Sequence, residues 1–237
     1  IRAAVLDYCK TNGIAVSSIN IMSTHAHSAL DTQGVSTEFF YKLFASSIQN
    51  LLGLEGNLPF MEAPAYFKQY FIEQSILAIE EAFEDMEKGS LYYDTIDASE
   101  YIKDKRDLVS KEDIPEIASL YFVPDSGSED TYIADITCHP TSFSASNGLV
   151  ASDYIYYIDQ YIKAQEGANF VMIQGAVGQI SRDNIDVDTT GMDEWEEKGA
   201  DTKFLGEKFG EYIISAEYET ELEPVINAHH KRERECC

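Results

Sequence analysis

Cysteine is scarce in this chain: 237 residues contain four, at positions 9, 138, 236 and 237. No pair has Cys-x-x-Cys spacing, and the set is too small and uneven for a disulfide scaffold, which leans the compartment toward a reducing, cytoplasmic one. Cys138 falls inside an apolar run, where a buried thiol is expected. Long apolar runs are also missing. None approaches the roughly 20 residues of a membrane-spanning helix, and no basic-then-apolar signal peptide opens the chain, so it reads as soluble with no transmembrane segment. Cations are the third shortage. Seventeen Lys and Arg stand against 42 Asp and Glu, a net charge of −25. That balance argues against a nucleic-acid partner, whose phosphates require clustered basic residues, and against simple attraction to anionic membranes. It leaves open solubility, cation binding and a neutral substrate.

What is present is enough for a sizeable core: 44% of the residues are hydrophobic, and the length suits one large domain. The chain opens at Ile1 inside a helical pattern, so the expectation is a single α/β domain over 1–237, truncated at both ends, with any targeting segment lost.

Ile1, Ala4, Val5 and Tyr8 have helical spacing, and Gly13 follows where a C-cap glycine belongs. Ile14 to Met22 reads as a strand. A second helical pattern covers Ser36 to Leu52, and a third runs from Pro64 to Lys88, with Phe67, Phe71, Leu77 and Phe83 opposite a Glu-rich face. From Ser90 to Pro115 the periodicity fades into a polar surface connection containing Lys103-Asp104-Lys105-Arg106-Asp107. Ala118 to Val123 and Thr131 to Cys138 form a hairpin around Pro124 to Asp130, and the second strand ends at His139-Pro140. Thr141 to Asn147 is polar and leads to Ser152-Asp153, either of which can cap a helix from Tyr154 to Gln165. Phe170 to Ile173 reads as a buried central strand that breaks into Gly175-Ala176-Val177-Gly178-Gln179-Ile180-Ser181. Asp183 to Asp201 is acidic and reads as a loop, and a last helix covers Thr202 to Ala216. Strands alternating with helices predict an α/β fold with a mixed β-sheet core flanked by helices.

Two of the five histidines lie in Ser23-Thr24-His25-Ala26-His27-Ser28-Ala29-Leu30-Asp31-Thr32-Gln33-Gly34. If Ile14 to Met22 is a strand, the period of two puts both imidazoles on one side, where a single ion can bind both. The bland reading is two hydrogen-bonded loop histidines. His139 ends another strand and Gly175 to Ser181 follows a third. Ligands in open α/β sheets sit beyond the carboxyl ends of strands, so the three turns are candidates for one shared site, and three neutral imidazoles suit zinc. His229-His230 point to different sides in any regular element and, with Lys231 to Glu235, read as an exposed tail.

The histidine stretch resembles the Ser-x-Thr-His-x-His-Ser-Gly-Pro motif of the neutral/alkaline, non-lysosomal ceramidase family. The resemblance covers residues 1–216, adding the strand ending His139-Pro140, Ser152-Asp153, and the Gly-x-x-Gly-x-x-Ser turn at Gly175 to Ser181; 217–237 is an unassigned tail. It implies that His25 and His139 bind one zinc ion, that His27 assists catalysis, that Ser181 lies in the substrate pocket, and that Gly175 and Gly178 shape it. Arg106 falls where the family has a substrate-holding arginine. Ala29-Leu30 replace Gly-Pro and Gln179 stands where aspartate is common. The family completes its zinc site with a Glu and a Tyr much further along, and nothing after Ala216 matches them. The implied function is zinc-dependent hydrolysis of an N-acyl amide, in a ceramide-like lipid or another small amide or ester. The alternative is a non-catalytic or incomplete domain that binds a ligand or partner through the same crevice.

Overall fold

A computed structural model describes residues 1–16, 18–29, 65–106, 116–143, 150–183 and 185–223, with the side chains of Trp195 and Lys198 excepted. The predicted helix at 36–52, the stretch 30–34, the connection 107–115, most of the polar segment 141–147 and the 229–237 tail lie outside these residues.

The chain forms two compact units, Ile1–Ile21 with Leu30–Met86, and Met22–Ala29 with Glu87–Cys237. In the first, helix α1 (Arg2–Thr11) buries Val5 and Cys9, four apart on one face, and Gly13 leaves it at φ +72° as a C-terminal glycine does. Helix α2 (Ala65–Glu84) packs on α1, and the Tyr8 hydroxyl donates to the Glu80 carboxylate. No strand forms in the described part of 14–22; this stretch runs without ladder partners.

The second unit carries a five-stranded mixed sheet. Its strands are β1 (Gly89–Ile96), β3 (Ile117–Pro124), β4 (Thr131–Ile136), β5 (Asn169–Gln174) and β7 (Thr220–Glu221), in the order β5-β4-β3-β1-β7. Strands β3 and β4 are the predicted antiparallel hairpin, with Leu120 opposite Ile133, and β5 joins β4 in parallel, with Ala134 opposite Met172. Helix α3 (Tyr154–Glu166) makes that crossover, as a parallel pair requires. A two-stranded sheet pairs β2 (Ile102–Asp104) with β6 (Ile180–Arg182), and helix α4 (Glu194–Ser215) completes the unit.

Three expectations are corrected. The polar stretch after Ser90 is not a surface connection throughout, because β1 and β2 lie within it; Leu91, Tyr92 and Tyr93 pair with Phe122, Tyr121 and Leu120. Strand β5 is an edge of the sheet among the described residues, with Val171 half exposed, because its outer side has no neighbour. The acidic segment 183–201 is partly helix: Glu194, Glu196 and Glu197 occupy the first turn of α4, where negative charge favours the helix N-terminus.

The core lies between one sheet face and the two helices. Tyr132, Ala134 and Ile136 alternate along β4 and meet Tyr154, Ile158 and Ile162 of α3 and Leu205, Phe209 and Ile213 of α4, each helix trio spaced by four. The helices approach closely because α4 presents glycine: a Cβ at Gly206 would lie 2.5 Å from the Tyr154 carbonyl and 2.5 Å from Tyr157 Cβ.

Candidate metal centre

Beyond the carboxyl end of β4, buried Cys138 is followed by partly open His139. The Tyr154 hydroxyl, deep in the core, donates to the Cys138 carbonyl at 2.6 Å and ties this strand end to α3. Beyond the end of β5, Gly175 packs where no side chain fits, since its Cβ would fall 2.3 Å from Asp135 Oδ1 and 2.7 Å from Thr137 Oγ1. Gly178 turns at φ +108°, and the chain then enters β6. His139 bridges to β6 in parallel with Ser181, its N–H donating to the Ile180 carbonyl at 3.1 Å. Ser181 is buried beside it.

His25 and His27 reach this place by another route than the predicted one. Without a strand to alternate its side chains, the stretch turns at His25 itself, which adopts the left-handed conformation at φ 59°. Histidine is among the few residues that occupy this region with any frequency. The segment is then pinned from 140–151: His27 N–H donates to the Pro140 carbonyl at 3.2 Å, Ser28 Oγ to the Phe143 carbonyl at 3.3 Å, and Ala151 N–H to the Ser28 carbonyl at 2.7 Å. Buried Asp153 holds those anchors, accepting from Phe143 N–H at 3.0 Å and, as the cap of α3, from Tyr154 N–H at 2.8 Å. The sequence offers either Ser152 or Asp153 as the cap; Asp153 takes that place, and no local pattern signals that it also braces the histidine segment.

The result is a cluster of three imidazoles. Ring centroids are 5.1 Å apart for His25 and His27, and 4.8 Å for each with His139. One ligand nitrogen from each lies within 4.8 Å of the others, so the three are able to share a metal ion. His139 Nε2 faces His27 Nε2 at 2.9 Å, closer than the roughly 3.3 Å between donors on a tetrahedral zinc with bonds of about 2.0 to 2.1 Å, so a small ring rotation accommodates the ion. The other nitrogen of His139, Nδ1, lies 3.3 Å from the Gly178 carbonyl. A carbonyl only accepts, so Nδ1 carries the hydrogen and Nε2 presents its lone pair, the second-sphere arrangement that orients ligating histidines.

Electrostatics favours the same state. Partial burial, then the charges of His25 and Lys105, holds His27 below the ordinary imidazole value of 6.5. His139 is also lowered, chiefly by burial, with His27, His25 and Lys105 adding to it against the Gly178 carbonyl. Both are therefore neutral donors at pH 7. The sign for stability follows: the unfolded chain takes these protons at higher pH than the folded one, so their contribution is complete above about 6.5 and is lost as the pH falls below it. The melting temperature of the metal-free protein is expected to drop between about pH 7 and pH 5, and a His27→Gln, His139→Gln double variant to show a flatter profile in the same scan.

The other expected site residues are divided. Gly178 and Ser181 adjoin His139. Gly175 is a packing residue on the face of Asp135 and Thr137. Arg106 is exposed in the turn after β2, its N–H donating to Asp104 Oδ1 at 2.8 Å. Gln179, the departure from aspartate, donates from Nε2 to Asp104 Oδ2 at 3.1 Å and fastens the glycine turn to β2.

No family model matches the chain, and no curated protein does. Among the solved structures that share part of its fold are two ceramidases. Neutral ceramidase from Pseudomonas aeruginosa is 19% identical with a TM-score of 0.53, and a ceramidase complexed with C2 is 18% identical with a TM-score of 0.51. In both cases 63% of this chain is covered, and the chain spans 26% of the length of the structure it matches. The chain therefore carries part of the ceramidase fold.

Proposed function

We propose that this chain is the metal-binding part of a zinc-dependent amide hydrolase acting on an N-acyl substrate, ceramide-like or another small amide. The observation that carries the reading is the convergence of His25, His27 and His139 at the strand ends of a ceramidase-like fold. Imidazole nitrogens are donors that zinc favours, and two of them leave room for further ligands. His25 and His139 hold the ion, and the Gly178 carbonyl fixes the His139 tautomer. A bound zinc ion supplies Lewis acidity, which polarises the carbonyl and makes water a nucleophile near neutral pH. His27, neutral at pH 7, accepts a proton at Nε2 from the attacking water and returns it to the departing amine nitrogen, so that water and amide give an acid and an amine. Ser181 and Gly178, which adjoin His139, line the reacting group; Gly175 supports that turn through its packing on Asp135 and Thr137, and the role of Arg106 rests on the resemblance alone.

The test is product formation. Zinc-loaded protein is expected to release free acid and amine from an N-acyl amide, to lose that activity to a chelator, and to regain it with zinc. Zinc-loaded protein that releases neither product would overturn the reading.

A second reading, a domain that binds ligand without turning it over, is favoured by the donor count: among the described residues no carboxylate joins the three histidines. Tight zinc binding together with absent hydrolysis would select it.

A further inference from the structure

We propose that Asp153 is a positioning residue for the histidine cluster: its carboxylate, aimed by a strained backbone, holds Phe143 and through it the segment that carries His25 and His27. The inference deepens the metal-centre reading by naming what keeps two of the three donors beside the third.

The backbone gives the first reason. Asp153 sits at φ 59° and ψ −149°, a conformation that glycine takes readily and other residues hold only at a cost. Capping α3 does not explain it. A helix cap ordinarily has extended backbone and reaches the second or third N–H of its helix, whereas Asp153 Oδ1 accepts from the first, Tyr154 N–H, at 2.8 Å. Strain of this kind persists where the surroundings fix it, and what fixes it here is the second oxygen. Oδ2 accepts from Phe143 N–H at 3.0 Å, ten residues back along the chain. The residue is 1% exposed. A buried carboxylate costs more to desolvate than a side-chain amide, and only the carboxylate accepts on both of its terminal atoms.

From Phe143 the path runs to the histidines. Its ring is held against the helices: a Cβ at Gly199 of α4 would lie 3.5 Å from Phe143 Cζ and 3.7 Å from the Tyr157 hydroxyl of α3. The Phe143 carbonyl accepts from Ser28 Oγ at 3.3 Å, and the Ser28 carbonyl accepts from Ala151 N–H at 2.7 Å. Ala151 stands two residues before Asp153, so the path from Asp153 through Phe143 and Ser28 closes on itself. Ser28 is buried and follows His27 directly, and the His27 N–H is bonded to Pro140 of the same braced stretch. The left-handed turn at His25 has no β-ladder in the described part of 14–22 to support it, and this closed path takes that place.

The experiment is amide hydrogen exchange of the metal-free protein, comparing the parent with Asp153→Asn and Ser28→Ala. Asparagine keeps the shape and replaces one acceptor by a donor. In Asp153→Asn the His27 and Ala151 amides are expected to exchange about 10- to 100-fold faster, the size of a lost hydrogen bond to a charged group, while those of Ile158 and Ile162 inside α3 keep the parent rate. Ser28→Ala should accelerate the same two amides, and the double variant should add little to the faster single, because both cut one path. Zinc affinity, from competition with a chelating dye, should fall about 10-fold or more in each. Equal acceleration inside α3 would make Asp153 a helix cap only and overturn the proposal. Unchanged exchange at His27 and Ala151, additive effects of the two variants, or faster exchange with unchanged zinc affinity would overturn it as well. A parent that takes up no zinc defeats the metal-centre reading alone, since the exchange rates decide the role of Asp153 without the metal. Asp153→Gly, which removes the carboxylate and relieves the backbone, supplies the same comparison should Asp153→Asn not fold.

Discussion

Protein carrying both His25→Ala and His139→Ala is expected to retain no zinc by elemental analysis, against about one ion per chain in the parent. Two of the three clustered donors are then gone, and a single exposed imidazole does not hold zinc through purification. His27→Ala is expected to behave differently, keeping most of the metal while kcat falls by about 10²- to 10⁴-fold, the usual contribution of a positioned proton carrier. The three rings are nearly equidistant, so this division of labour cannot be read from their spacing. It rests on the resemblance and on the second-sphere contact that His139 makes and His27 lacks among the described bonds. Equal loss of zinc in the His25→Ala and His27→Ala single variants would make His27 a ligand and remove its separate role.

The largest effect on stability is expected at Phe209. Its fully buried ring meets Tyr154 edge to face at 5.5 Å with an interplanar angle of 87°, at the junction of α3, α4 and the sheet. Phe209→Ala should cost about 3 to 5 kcal/mol, because the glycine-mediated closeness of the two helices leaves little room for them to collapse into the cavity. Urea unfolding measures this, and a loss below about 1 kcal/mol would mean that α3 and α4 repack freely. The variant should also weaken zinc binding under native conditions. Tyr154, loosened on one side, is the residue that fastens the strand end at Cys138, immediately before His139.

The parts of this fold legible in the sequence are those whose signal is local. The β3–β4 hairpin announces itself by two apolar runs around Pro-Asp-Ser-Gly, and α3 by Asp153 before a helical pattern. Strand β1 is hidden because Ser90, Asp94 and Thr95 interrupt its apolar character, and its partners in β3 and β7 lie far along the chain. Strand β5 has the composition of a central strand, and only the count of neighbours shows it to be an edge. The early start of α4 was signalled: three glutamates in four residues are what a helix N-terminus attracts, and the same acidity reads as a loop when periodicity alone is followed. The histidines of the site were legible from motif and order.

The left-handed turn at His25 has a consequence for how this site can change over generations. The position must satisfy two demands, a donor atom and a backbone that tolerates φ near 59°. Besides glycine, the residues that meet the second demand most readily are asparagine and aspartate, and each is a single base change from a histidine codon. The drift open to this position therefore leads from nitrogen toward oxygen donors, which suit harder ions such as magnesium and manganese better than zinc. Cysteine, the other common zinc ligand, is two base changes away and gains nothing from the turn. The backbone at one residue thus biases which metals the lineage of this chain can take up next.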